Sequence, residues 1–168
     1  IISGNNITAN IYEGIRLGGS PNNSISGNSI ANNFYGILFD YSTNYNTVIG
    51  NTIAQNYYGL YFWNDFNNSI FHNNIVDNSP YQVLNFNASS ISIWDDGYPS
   101  GGNYWSSYNG IDSFRGVYQN ITGSDGIGDT HYTIDANNTD YYPLMGSCGP
   151  STKTGLNVTV FPAPDVGL

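Results

Sequence analysis

Apolar and polar positions along this chain recur with a period of 22 to 23 residues. Ile2-Ser-Gly-Asn-Asn-Ile7, Ile25-Ser-Gly-Asn-Ser-Ile30, Val48-Ile-Gly-Asn-Thr-Ile53 and Ile70-Phe-His-Asn-Asn-Ile75 are one phrase written four times. Each phrase leads to an asparagine (Asn10, Asn33, Asn56, Asn78). A short apolar stretch follows: Gly14-Ile-Arg-Leu17, Gly36-Ile-Leu-Phe39, Gly59-Leu-Tyr-Phe62 and Gln82-Val-Leu-Asn85. A fixed period of this size means stacked supersecondary units, none of which buries its apolar side chains alone. The stretches alternate and are broken by Asn, Gly and Ser, so they read as strands and turns. No window carries apolar residues at helical spacing over three turns, and no leucine-rich phrase is present. The expected fold is all-β, a parallel β-helix of about four to five coils, with neighbouring coils about 4.8 Å apart.

Alternation assigns faces within a coil. Ile15, Leu17, Ile37, Phe39, Leu60, Phe62 and Val83 are expected inside, and Arg16, Leu38, Tyr61 and Leu84 outside. Ile2, Ile25, Val48, Ile70 and then Ile91 are expected to form one interior column, with Ile7, Ile30, Ile53 and Ile75 forming another. The asparagines at 5, 28, 51 and 73, and at 10, 33, 56 and 78, fall at turns. Their amides can reach the equivalent residue one coil away or a turn backbone group. They are read as structural.

The repeat is expected to span residues 1–94. Residues 95–146 form a non-repeating C-terminal cap rich in Tyr, Trp, Gly and Asp. Residues 147–168 form a linker and an extended tail strand around Leu156-Asn-Val-Thr-Val-Phe161, with Leu156, Val158 and Val160 on one side. With a net charge of −9 and only three basic residues, the chain lacks the footprint that nucleic acids or anionic lipid surfaces require. No apolar run approaches the roughly 18 residues of a membrane span. Cys148 is the single cysteine. It reads as a linker thiol or an intermolecular disulfide partner, and it rules out an intrachain disulfide framework. Asn-x-Ser/Thr sequons stand at Asn6, Asn22, Asn67, Asn87, Asn120, Asn137 and Asn157. With few lysines and many tyrosines, they point to a secreted or cell-surface glycoprotein. The chain starts inside a repeat phrase, as expected of a mature or truncated product of a longer precursor.

Gly102-Asn-Tyr-Trp-Ser-Ser-Tyr-Asn-Gly-Ile-Asp112, Gly123-Ser-Asp-Gly-Ile-Gly-Asp-Thr-His-Tyr-Thr-Ile134 and Asp140-Tyr-Tyr-Pro-Leu-Met145 resemble the end module of NosD-like surface proteins. These are β-helix proteins with carbohydrate-binding-and-sugar-hydrolase-type repeats, common in archaea. With the Gly-Asn-x-Ile phrases, the resemblance covers residues 2–145. It implies right-handed coiling, export and an aromatic-rich cap. The family's name comes from copper-site maturation, but one Met, one Cys and no His cluster equip this chain poorly for copper. Family members often carry a more acidic cap loop than Gln119-Asn-Ile-Thr-Gly-Ser124.

Oxygen ligands alternating with glycines suit a hard cation, so Asp112, Asp125 and Asp129 are candidate calcium ligands. Asp135 and Asp140 are read as turn residues. Tyr104, Trp105, Tyr108, Tyr132, Tyr142 and Leu144 can cover the end of the stack. A glycosidase needs paired carboxylates. Asp40 and Asp65, with Glu13 a coil earlier, are the nearest approach to such a pair and read equally well as solvated turn residues. His72 and His131 lack a second histidine at ligand spacing. We therefore expect no catalytic residues and no enzyme. Tyr35, Tyr58, Tyr61 and Trp63 are expected on the outside, as protein-contact or sugar-contact residues. An uncovered first coil and the tail strand are both templates for pairing. The leading expectation is an extracellular subunit that assembles with copies of itself into a filament, sheath or surface layer. A carbohydrate-binding surface module engaging cell-surface glycans comes second, and a polysaccharide-degrading enzyme third.

Overall fold

The structure, a computed structural model, describes residues 1–86 and 90–149, among which there is no helix. Each period makes one coil of three strands. The first carries β1 (Ile2–Ser3), β2 (Asn6–Thr8) and β3 (Glu13–Gly18); the second carries β4 (Ser24–Ser26), β5 (Ser29–Ala31) and β6 (Tyr35–Asp40). The third carries β7 (Thr47–Ile49), β8 (Thr52–Ala54) and β9 (Tyr58–Trp63), and the fourth β10 (Ser69–Phe71), β11 (Asn74–Val76) and β12 (Tyr81–Asn85). Equivalent strands pair in parallel as sheet A (β1-β4-β7-β10), sheet B (β2-β5-β8-β11) and sheet C (β3-β6-β9-β12). The registers reproduce the sequence repeat: Ile2, Ile25, Val48 and Ile70 align in sheet A, and Ile15, Ile37, Leu60 and Val83 in sheet C.

Three corners per coil turn the chain, and they share one device. At the first, Gly4, Gly27, Gly50 and His72 sit at φ 68°, 62°, 67° and 55°. At the second, Ala9, Asn32, Gln55 and Asp77 sit at φ 60°, 57°, 55° and 50°. At the third, Asn22, Tyr45 and Asn67 take φ 60°, 60° and 56°. Each of these left-handed residues is followed by an asparagine whose side chain points along the stack.

The asparagines form ladders. In the first, the backbone N and Nδ2 of Asn28 both donate to Oδ1 of Asn51, each at 2.9 Å, and Asn51 treats Asn73 the same way at 3.0 and 2.9 Å. Nδ2 of Asn51 also donates back to the Ile25 carbonyl at 2.9 Å. Asn10, Asn33, Asn56 and Asn78 repeat this arrangement at the second corner, and Asn46 with Asn68 at the third. Asn28, Asn46, Asn51, Asn56, Asn68 and Asn73 are buried, so each amide has to be satisfied from within the stack. The side-chain oxygens make every asparagine-to-asparagine rung directional: each Oδ1 accepts from the coil on its N-terminal side.

The ladders need a final oxygen, and the C-terminal end supplies it. Asn73 donates to Oδ1 of Asn103 at 3.1 and 3.0 Å, and Asn103 N donates to Oδ2 of Asp140 at 2.8 Å. Asn78 Nδ2 donates to Oε1 of Gln82 at 2.8 Å. Gln82 replaces the glycine of the earlier coils, where the space is already taken: a Cβ on Gly36 would stand 2.9 Å from Asn56 Nδ2 and 2.5 Å from the Gly59 carbonyl oxygen. The third ladder ends at Asn68, whose Nδ2 is buried without a hydrogen-bond partner.

The isoleucine column of sheet A ends differently from expectation. Ser69 bridges to Ile93, which places Trp94 beside Ile70. Trp94 is 3% exposed, whereas Ile91 is 51% exposed and lies outside the core. An indole covers more of the open stack than an isoleucine, and its ring meets Phe62 edge-on, with centroids 5.8 Å apart. Trp105, on β13 (Tyr104–Trp105), extends sheet B beyond Ile75. The two indoles lie 5.9 Å apart, and Tyr132 stacks on Trp105 at 4.3 Å. A partial fifth coil therefore straddles residue 95, where the sequence suggests a boundary.

The rest of the cap comprises two antiparallel hairpins, β14 (Phe114–Arg115) with β15 (Ile121–Thr122) and β16 (Tyr132–Asp135) with β17 (Asn138–Asp140). β17 holds both tryptophans: Trp94 Nε1 donates to Asn138 Oδ1 at 3.0 Å and Trp105 Nε1 to Asp140 Oδ2 at 2.8 Å. Asp140 also accepts from Tyr142 N at 3.1 Å, the turn role read from sequence. Asp135 accepts from Asn137 N in the same manner. Burial raises the Asp140 carboxyl to about 6, despite its donors from Asn103, Trp105 and Tyr142. Burial raises Asp65 as well.

Asn51→Ala removes a rung that is 0% exposed and strands its partners in the adjoining coils. It should cost about 3 kcal/mol or more in urea unfolding, whereas Asn5→Ala, at the exposed end of the same ladder, should cost about 1 kcal/mol or less. A raised folded-state pKa at Asp140 stabilises the protein most below the unfolded value of 3.8 and loses that contribution as pH rises through about 6. Raising the pH from 4 to 7.5 should therefore lower the unfolding free energy by about 2 kcal/mol through Asp140, and Asp140→Asn should flatten the profile between pH 5 and 7.

Candidate binding surface on the outer face of sheet C

The outer faces of sheets A and B carry mainly small polar residues, Ser24, Ser26, Thr47 and Ser69 on one and Asn6, Ser29, Thr52 and Asn74 on the other, with Ile49 and Phe71 in register with Ser26, and Ala31, Ala54 and Val76 in register with Thr8. Sheet C differs. A Cβ on Gly36 would point toward the core residue Ile53, 3.0 Å from its Cγ2, so two successive positions, Gly36 and Ile37, face inward. The alternation slips by one there and returns Tyr35 to the outside, beside Leu38. Gly59 does the same for Tyr58.

The result is a second, external layer of rings. Tyr35, Tyr58 and Tyr81 stack in register, with centroids 5.3 and 5.7 Å apart and planes within 14° and 6°. Phe34 stacks on Tyr57 at 4.8 Å, and Trp63 on Phe86 at 4.8 Å. Tyr61 lies between these columns, edge-on to Tyr35 and Tyr58 at 5.1 and 5.5 Å. Alternation correctly places Leu38 and Tyr61 outside the core, yet they are only 8% and 7% exposed because this layer covers them. Burial beside other phenols raises the Tyr58 and Tyr61 hydroxyls above their usual range. Arg16 and Asp40 pair at the edge of the face.

Tyr35, Tyr58, Tyr61 and Trp63 are thus brought together as expected, but in a way that limits what they can bind. Rings stacked along the coil axis use their faces on one another and turn their edges and hydroxyls to solvent. Leu156, Val158 and Val160 lie outside the described residues, as do the sequons at Asn87 and Asn157. The other sequon asparagines, Asn6, Asn22, Asn67, Asn120 and Asn137, are exposed.

The three candidate calcium ligands serve the cap backbone. Asp112 accepts from Asp125 N and Gly126 N at 3.1 and 2.8 Å, and Asp129 accepts from Ser113 N and Phe114 N at 2.9 and 3.0 Å. Asp125 accepts from Gly116 N, Ile127 N and Gln119 Nε2. Together they tie the 111–114 segment to the 125–129 loop, each carboxylate engaged by backbone donors. Among the described residues, no three His, Cys, Asp or Glu side chains are arranged to hold a metal ion. Asp40 is taken up by Arg16. Asp65 is buried, accepting from Thr43 N at 2.7 Å and Trp63 N at 3.2 Å. Cys148 is half-buried, its backbone clasped by Asn74 through bonds of 2.7 and 2.9 Å, and burial raises its thiol pKa.

Residues 1–110, four coils and the strand that closes them, match the family described as periplasmic copper-binding protein (NosD). The chain belongs to the NosD family. No curated protein and no solved structure matches it. The β-solenoid accords with that membership. The copper of the family's description does not fit the residues present: His72 Nε2 is bonded to Ser100, and His131 packs edge-on against Tyr141 at 4.7 Å. Neither belongs to a group of three or more His, Cys, Asp or Glu side chains arranged to hold a metal ion among the described residues. Among the described residues no helix is long and apolar enough to cross a membrane.

If the outer layer is a true second core, Tyr61→Ala should cost about 3 kcal/mol in urea unfolding, against about 0.5 kcal/mol or less for Tyr45→Ala, which is 60% exposed.

Proposed function

We propose that this NosD-family chain is a non-catalytic structural subunit of an exported surface assembly, which packs against copies of itself through the aromatic face of sheet C. One observation carries the reading: sheets A and B carry mostly small polar residues outside, with isolated apolar ones such as Ile49, Phe71 and Val76, while the third face bears an ordered aromatic layer whose outer rings, Tyr57, Trp63, Tyr81 and Phe86, are 46%, 36%, 46% and 61% exposed. Contiguous exposed aromatics mark protein-contact surfaces. The charge distribution favours a second copy as the occupant. At a net charge of −9, most of the surface repels a like chain. The sheet C face offers neutral rings bordered by a neutralised Arg16–Asp40 pair. Such a face can meet its own image about a two-fold axis, and a further contact elsewhere on the subunit would extend the pair into a filament, sheath or layer. The exposed sequons and the periplasmic setting in the family's description support export. The engagement of Asp40 and Asp65 by structural partners supports the absence of catalysis.

Sedimentation velocity and negative-stain microscopy of the whole chain should show concentration-dependent association. Trp63→Asp with Tyr81→Asp should return it to a folded monomer, while Tyr118→Asp, on an exposed side chain of the cap away from sheet C, should leave association intact. A wild-type chain that stays monomeric at high micromolar concentration would refute the reading.

A further inference from the structure

The cap contains a cleft of about 460 Å³ that plays no part in closing the stack. Four separate cap segments meet there: the residues after Trp94, the β14–β15 hairpin turn, the loop after Gly128, and the turn after β17. They supply Asp95, Tyr118, Gln119, Asp129, His131 and Tyr141. The rings here differ from those on sheet C. Tyr118 is 83% exposed and pairs with no other ring among the described residues, so its faces are free. Tyr141 is 53% exposed, and among the described residues its one ring contact is with His131.

The two carboxylates are held in place by backbone donors. Asp95 accepts from Gly97 N at 3.0 Å and Tyr141 N at 3.1 Å, and Asp129 accepts from Ser113 N and Phe114 N. Each oxygen retains a further lone pair for a ligand. No lysine or arginine lines the cleft, and the chain as a whole is strongly acidic.

We infer that this cleft binds an organic ammonium cation. The negative faces of the Tyr118 and Tyr141 rings and the Asp95 and Asp129 carboxylates all attract positive charge, and the overall field concentrates it. Anionic ligands are repelled by the same groups. A neutral polyol would use the hydrogen-bonding groups but gain nothing from the carboxylates' charge. The volume exceeds an ammonium head, leaving room for the carbon chain that carries it. Two sources share this chemistry: a small quaternary ammonium compound and the lysine side chain of a partner polypeptide. The inference is independent of the sheet C contact, since no sheet C residue lines the cleft.

The test is calorimetric and NMR titration of the whole chain with choline, with 3,3-dimethyl-1-butanol (its uncharged isostere) and with Nα-acetyl-lysine methylamide. A cation should bind about tenfold or more tightly than the isostere. Tyr118→Leu, which keeps apolar bulk on an exposed side chain, should abolish that preference while leaving the unfolding midpoint unchanged. Tyr81→Leu on sheet C should leave it intact. Tighter binding of choline would assign the small-molecule source, and tighter binding of the lysine derivative the polypeptide source. Equal binding of choline and its isostere would overturn the inference. So would binding of neither cation, displacement of the cation by a neutral hexasaccharide at lower concentration, or a preference that survives Tyr118→Leu.

Discussion

The buried asparagine amide is the interaction on which the molecule depends. Each corner turns through a left-handed residue, a conformation that leaves the following backbone N–H pointing along the stack rather than into a strand pair. The asparagine after it aligns its own amide with that N–H, and both donate to one oxygen in the next coil. Leaving such groups unpaired in a buried site would cost about 1–3 kcal/mol each, so a corner is stable only when another corner lies above it in register. The apolar columns are thin, with one inward side chain per coil from each of sheets A and B and two from sheet C, and the amides fix the spacing at which they stack.

The aromatic layer of sheet C uses the same register for a different purpose. Glycine at the start of the strand is required by the neighbouring coil's asparagine and carbonyl, and the resulting slip in alternation directs a tyrosine outward at the same height in successive coils. A constraint on the inner ladder therefore produces an ordered ring column outside. Because the columns consume their own ring faces, the surface suits broad apolar contact better than recognition of a single flat ligand. The free ring faces lie in the cap, where no repeat imposes stacking.

The periodicity made the coils, their inward columns and the structural role of the asparagines legible, because a period of two within strands and of 22 to 23 between them leaves little freedom. Leu38 and Tyr61 were placed correctly on the outer side, but their burial depends on rings contributed by neighbouring coils and cannot be read from alternation alone. Ile91 resembles the repeat in spacing and in residue type. Trp94 takes the position because the strand pairs through Ile93 and the open end of the stack needs a larger cover. The cap was the least legible part. Several of its carboxylates answer backbone donors far along the chain, 13 residues for Asp112, 37 for Asp140 and 46 for Asp95, and no local pattern distinguishes an aspartate that latches a loop from one that could ligate an ion. Asp140 is the clearest case, a turn residue by sequence that also holds Trp105 and the end of the first ladder.

The direction of the ladders has a consequence for how such a chain can vary. Every coil accepts at one side and donates at the other, so a coil inserted between two existing ones meets compatible groups on both sides. Only the last rungs need a special acceptor, and for the first two ladders Asn103 of the cap and Gln82 of the final coil provide it whatever the number of coils beneath them. Length can therefore change by duplication or loss of whole 22- to 23-residue units without rebuilding the closure. An insertion of part of a unit would leave a corner without its amide. The protein's height is a quantity that evolution can step through in integers.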